Sequence, residues 1–143
     1  MIPRPQQALN DLAMKLMLSI APQTQSTYAA TSAGMIGMLM QCLAQDFDRA
    51  AAVRVADLDE MAALFRTAPS ATPAELRNAL QQFLAGAPAS LHIADLTARH
   101  AQAMQLLIEL HAWSELNGAR ELERDIWQYL IRHADRHAYQ VML

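Results

Sequence analysis

The chain contains very few of the residues that favour β-strands. Among its 143 positions it has 48 alanine and leucine residues but only ten valine and isoleucine residues. Alanine and leucine are strong helix formers, whereas β-branched side chains are enriched in strands. The composition therefore predicts an all-α fold. Linkers are short throughout and no internal repeat is present, so we expect a single helical-bundle domain over residues 1–143 with about five helices.

Apolar periodicity and helix-stopping residues predict where the helices lie. Asp57 resembles the N-cap of one helix, with Glu60 three residues later reaching back to it. A kinked, continuous helix of about forty residues through this point fits the pattern almost as well. The predicted segments are 5–20, then 26–49 and 57–68, which form one helix if they are continuous, and 73–84, 90–117 and 120–138.

The second predicted helix lies in a stretch without charge, because residues 16–45 contain no acidic or basic side chain. Pro22 divides this stretch, and its longest apolar run, Ala33 to Met40, is far shorter than the roughly 20 residues that a membrane span needs. A helix that is apolar over most of its circumference is typical of a central or interface helix. We therefore predict an apolar central helix and no membrane partner.

Small residues recur four apart on this helix, at Ala30 and Gly34 and again at Ala33 and Gly37. This spacing lets another helix approach closely, either within the chain or at a symmetric dimer axis. Glycine within a helix costs about 0.5–1 kcal/mol relative to alanine, so two of them suggest a packing role. Charged residues make up only 17% of the chain, which favours the dimer. We predict a homodimer with an interface at these four residues and Met38.

Charge and motifs argue against several classes of function. The net charge is −3 and no basic run is present, which argues against a nucleic-acid partner. Arginines near the C-terminus, Arg132 and Arg136 among them, alternate with acidic residues and predict a solvated helix face. The single cysteine cannot form an intrachain disulfide, and no signal peptide is visible, so we expect a cytoplasmic protein. No catalytic or phosphate-binding motif is found, so the sequence supports no particular enzyme chemistry and leaves enzyme activity open, and we expect no cofactor.

Two histidine pairs are candidates for a metal site. His111 and Glu115 are four residues apart, as are His133 and His137, and residues at this spacing share a helix face. Zinc or iron would be the metal. The alternative is structural, with His133 and His137 complementing the dipole at a helix C-terminus and His111 lying at the edge of the core.

The order of these pairs, HxxxE followed by HxxxH, resembles that in hemerythrin-like four-helix bundles. The resemblance covers about 27 residues. That family also requires a ligating histidine on an earlier helix, for which His92 or His100 is a candidate, and a later HxxxxD pair, which this sequence does not contain. The sequence therefore identifies no family.

Three hypotheses for function remain after these exclusions. The leading one is a non-catalytic interaction protein that self-associates through its apolar second helix. The first alternative is a metal-binding bundle that uses the His and Glu pairs. The second alternative is a carrier of a small apolar ligand, because methionines on the first two helices could line a groove between them. These are Met14, Met17, Met35, Met38 and Met40.

Overall fold

The computed structural model describes residues 4–140 of the chain. This part forms five α-helices and contains no β-strand, so the predicted all-α class is confirmed. A π-helical turn at Leu16–Ile20 and a 3-10 turn at Ala21–Gln23 follow the first helix. The helices are α1 (Pro5–Lys15), α2 (Thr27–Arg66), α3 (Ala74–Ala85), α4 (Ile93–Leu116) and α5 (Arg120–His137).

Helix α2 is continuous over 40 residues and joins the second and third predicted segments. The predicted N-cap at Asp57 is therefore wrong, and the alternative of one helix of about forty residues is the structure observed. Residues 50–56 contain neither glycine nor proline, and four of the seven are alanine, so nothing in this stretch ends a helix. Asp57 lies within α2 with its side chain fully buried.

The described residues divide into two compact units. Residues 4–50 and 139–140 belong to the first, called here the N-terminal unit, and residues 51–138 form the second, called the C-terminal unit. Helix α2 supplies residues to both. None of the helices described is sufficiently long and apolar to cross a membrane.

In the N-terminal unit, α1 and α2 meet through small side chains. Ala13 on α1 is fully buried, as is Ala44 on α2, and Ala33 is nearly so. Gly37 lies so close to α1 that an added Cβ would stand 2.3 Å from Met17 Cγ and 3.2 Å from the Ala13 carbonyl oxygen. The small residues of α2 thus serve a close crossing within the chain.

The C-terminal unit contains the large hydrophobic core. Phe65 and Phe83 pack edge to face, with ring centroids 5.5 Å apart. Arg99 covers the other side of this pair, with its guanidinium 3.8 Å from the centre of the Phe83 ring, and donates to the carbonyl oxygens of Phe83 and Gly86. It thereby adds a donor for carbonyl groups at the end of α3, where the Phe83 oxygen also accepts from the Gly86 backbone N–H. The fully buried core side chains include Met61, Leu96, Ala103, Leu110, Ile126 and Tyr129.

Candidate metal centre

Three imidazole nitrogens converge on one oxygen of a buried carboxylate in the C-terminal unit. Asp57 is 0% exposed. Its Oδ2 atom lies 2.7 Å from His137 Nε2, 3.1 Å from His133 Nδ1 and 3.2 Å from His100 Nε2. The Asp57 oxygen and the three nitrogens all lie within 4.8 Å of one another. We refer to these four residues as the Asp–His cluster.

Three helices position the Asp–His cluster. Asp57 comes from α2, His100 from α4, and His133 and His137 from α5. The last two are four residues apart and therefore adjacent on one helix face, with ring centroids 4.2 Å apart. The ring of His100 stacks near that of His133 at 5.8 Å. The three histidine side chains are partly exposed, so an ion can reach the cluster from solvent.

The second oxygen of Asp57 is held by an arginine. Arg136 Nη1 donates to Asp57 Oδ1, and its Nη2 donates to Glu60 Oε1. The other oxygen of Glu60 accepts a 2.9 Å hydrogen bond from Arg132 Nε. Asp57 and Glu60 lie on α2 and the two arginines lie on α5, so the ion pairs join these two helices beside the cluster.

The surroundings set the protonation of the carboxylate and of one imidazole. Burial raises the pKa of Asp57, but the hydrogen bond from His137, the Coulombic effect of His133 and the hydrogen bonds from His133 and Arg136 outweigh it, and the net pKa is lowered. Burial lowers the pKa of His100, although Asp57 opposes this effect. An ionised carboxylate and a neutral imidazole are the forms in which these groups bind metals.

Tyr129 is buried beside the Asp–His cluster. Its hydroxyl lies 3.4 Å from His133 Nδ1 and 3.9 Å from Met104 Sδ. Burial, and secondarily the negative charge of Asp57, raise the pKa of Tyr129, so this group stays neutral. It therefore adds no further anionic ligand to the site.

The spacing of the cluster fits a small tetrahedral ion. Two ligand atoms about 2.0–2.1 Å from a tetrahedral zinc ion stand roughly 3.3 Å apart. The separations of the three nitrogens from Asp57 Oδ2 are 2.7–3.2 Å, close to that distance, and the four ligand atoms all lie within 4.8 Å of one another. Imidazole and carboxylate are also the ligand types that zinc accepts.

Only half of the residues predicted for a metal site lie in this cluster. His133 and His137 belong to it, whereas His111 and Glu115 do not. His111 instead packs edge to face against Trp127 with ring centroids 5.6 Å apart, and its Nε2 atom lies 3.6 Å from Glu115 Oε1. These two residues are therefore not brought together with the α5 pair.

Sequence reasoning missed Asp57 as a ligand and assigned Arg136 to a solvated face. That assignment is wrong, because Arg136 is only 20% exposed and binds both Asp57 and Glu60. A signal was present in the spacing. Asp57 and Glu60 are three apart and Arg132 and Arg136 are four apart, which are the distances that place like charges on one face of each helix.

The residues predicted for a dimer interface lie in different surroundings. Ala33 and Gly37 are buried, and Gly37 is in contact with α1. Gly34 faces open space, with no atom within 4 Å of an added Cβ. Ala30 is partly exposed and Met38 is 38% exposed. The homodimer itself remains a prediction.

Comparison with family models found no match for this chain, and comparisons with curated proteins and with solved structures found none either. Function must therefore be inferred from the geometry.

Proposed function

We propose that this protein is a cytoplasmic metal-binding helical protein that holds one zinc-like ion at Asp57, His100, His133 and His137. One observation carries the proposal: three imidazole nitrogens from two helices meet at a single oxygen of a fully buried carboxylate. Ligand sets of this kind are typical of transition-metal sites in helical bundles.

Hydrogen bonding alone accounts less well for this arrangement. Without a cation, Asp57 Oδ2 must accept from three imidazoles while Oδ1 accepts from Arg136. Neutral imidazoles can donate there only if all three rings adopt the tautomer whose N–H faces Oδ2, and protonating the rings would place like charges next to one another, since the His133 and His137 centroids are 4.2 Å apart. A divalent ion would instead use the lone pairs of three neutral imidazoles and the negative charge of the carboxylate.

Four protein ligands also indicate the role of the ion. Structural zinc sites take all four ligands from the protein, whereas catalytic sites leave one position to water or substrate. With ligands from α2, α4 and α5, the ion would join three of the four helices that form the core of the C-terminal unit. We therefore propose a structural or metal-sensing role without catalysis, in keeping with the lack of a catalytic motif in the sequence.

Isothermal titration of untagged, chelator-treated protein with zinc tests the proposal. We expect one zinc per chain. His137→Gln and Asp57→Asn each remove one ligand and should weaken binding by more than the roughly 10–100-fold that changes outside the ligand set cost. Absence of binding by the wild-type chain would disprove the proposal.

The chain offers matched controls for these variants. His111→Gln removes an imidazole of α4 that lies outside the cluster, and His92→Gln removes an exposed one. Both should bind zinc as the wild-type chain does. Zinc binding that is lost equally in His111→Gln and His137→Gln would mean that the cluster is not the site.

We also propose, as a second function, self-association through the apolar face of α2. In the N-terminal unit the buried residues are mainly alanine and glycine, while the large apolar side chains are exposed. Six of them fall within about 120° of the helix circumference, on the side away from Gly37. Each is more than half exposed: Tyr28, Met35, Ile36, Leu39, Leu43 and Phe47.

A second copy of the chain fits this face. Six side chains presenting on the order of 100 Å² each give about 600 Å², the upper end for a monomer surface and close to what each partner contributes to a stable interface. The face lies largely within the uncharged stretch 16–45, so two copies meet without like-charge repulsion. The predicted homodimer would then use this exposed face, which lies on the opposite side of α2 from Ala30, Gly34 and Gly37.

Sedimentation velocity measures the association. The wild-type chain should sediment as a dimer, and the double variant Leu39→Lys, Leu43→Lys as a monomer. Ile108→Lys is the control, because Ile108 is 58% exposed but lies in the C-terminal unit. Gly37→Leu is unsuitable as a test, since it would clash with Met17 in the same chain. A wild-type monomer would refute the second proposal.

A further inference from the structure

The two carboxylate oxygens of Asp57 have different partners. Oδ2 faces the three imidazole nitrogens, whereas Oδ1 accepts from Arg136 Nη1. A carboxylate can bind a metal through one oxygen or chelate it through both. With Oδ1 engaged by the guanidinium, only Oδ2 is available.

Arg136 is itself held in place from its other end. Its Nη2 donates to Glu60 Oε1, while Glu60 Oε2 accepts from Arg132 Nε at 2.9 Å. The planar guanidinium thus spans two carboxylates on one face of α2, which fixes its orientation as well as its position. Rotation of the Asp57 carboxyl group toward a chelating geometry would break its hydrogen bond with Arg136.

We propose that Arg136 is the positioning residue that restricts Asp57 to one-oxygen binding and thereby makes the site four-coordinate and selective for zinc-type ions. This inference rests on the proposed metal-binding function. Three nitrogens and one oxygen complete a tetrahedral set, which suits zinc and cobalt. Ions such as manganese and magnesium, which favour six mainly oxygen ligands, gain nothing from such a site.

Cobalt(II) serves as the probe, because four-coordinate cobalt absorbs visible light much more strongly than six-coordinate cobalt. The chelator-treated wild-type chain with one equivalent of cobalt should show the intense four-coordinate spectrum. Arg136→Gln frees Asp57 Oδ1, so we expect the visible bands to weaken several-fold as the coordination number rises. Arg136→Lys keeps a donor for Oδ1 and should restore the intense spectrum.

Arg124→Gln is the matched control. Arg124 also lies on α5 but is 68% exposed and pairs with Asp125, away from Asp57 and Glu60, so its removal should leave the cobalt spectrum unchanged. An Arg136→Gln spectrum as intense as that of the wild-type chain would overturn the role of Arg136. If that variant does not fold, the wild-type spectrum still decides, because weak six-coordinate bands there contradict the inference.

The outcomes separate this inference from the function on which it rests. A wild-type chain that binds no cobalt and no zinc refutes the metal site itself. A wild-type chain that binds one ion in a six-coordinate site keeps the metal-binding function and refutes the role of Arg136.

Discussion

The turn between α4 and α5 depends on the conformation of one glycine. Gly118 has a φ of +65°, and no other residue of the described range 4–140 has a positive φ. This left-handed region costs a residue with a side chain about 1–2 kcal/mol, but glycine adopts it freely. An added Cβ would meet no atom within 4 Å, so the cost of a substitution lies in the backbone alone.

We expect Gly118→Ala to lower the free energy of unfolding by about 1 kcal/mol. Gly118→Asn should lower it less, because asparagine tolerates this region better than alanine does. Urea denaturation followed by tryptophan fluorescence measures both variants, since Trp113 and Trp127 lie on the two helices that the turn joins. A larger loss for asparagine than for alanine would contradict the assignment to backbone strain.

At the same scale, two of the three histidines of the candidate site could be identified from the sequence, but its carboxylate could not. The four-residue spacing of His133 and His137 is enough to place both on one helix face. Asp57 is 80 positions from His137 and 43 from His100, and its local sequence is also that of a helix start. The buried charge of Asp57 is compensated by Arg136, which comes from another helix. No local sequence pattern predicts that pairing.

At the scale of the helices, the close contact between α1 and α2 predicts opposite effects on stability for substitutions at two nearby glycines. Gly34 faces open space, whereas an added Cβ at Gly37 would overlap Met17 Cγ and press on the Ala13 carbonyl oxygen. We expect Gly34→Ala to stabilise the chain by about 0.5–1 kcal/mol through helix propensity. Gly37→Ala should destabilise it by about 1–2 kcal/mol, because overpacking exceeds that gain.

Thermal unfolding followed by far-ultraviolet circular dichroism compares these two variants at one protein concentration. Equal effects of the two substitutions, or a stabilising Gly37→Ala, would mean that the helices are not in close contact at Gly37. Each variant serves as the control for the other. Both glycines lie on the same helix, three residues apart, so substitution by alanine gives the same gain in helix propensity at each.

Helix boundaries were predictable where the chain carries residues that end helices. The C-terminal ends of α3 and α4 lie beside Gly86 and Gly118, and the sequence places both ends close to where they are found. No helix-ending residue occurs near residue 57. The capping pattern there predicted a helix start, but α2 continues through this position. The small residues of α2 predicted a close crossing correctly, but whether the partner helix belonged to the same chain could not be read from spacing.

For the whole molecule, the proposed metal site would link ion binding to folding of the C-terminal unit. An ion held by α2, α4 and α5 would bind the folded unit in preference to the unfolded chain and would add to stability according to its free concentration and affinity. The chain has two tryptophans, Trp113 and Trp127, and both belong to the C-terminal unit. Their fluorescence therefore follows the unit that contains the metal ligands.

We expect zinc at a free concentration 100 times Kd to raise the free energy of unfolding of this unit by about 2.7 kcal/mol. The unfolding midpoint followed by tryptophan fluorescence should rise accordingly, and a chelator should reverse the shift. Asp57→Asn should show no shift, whereas His111→Gln should shift as the wild-type chain does, since His111 lies outside the Asp–His cluster. A shift of the same size in Asp57→Asn would place the zinc elsewhere, because that variant lacks the carboxylate at the centre of the ligand set.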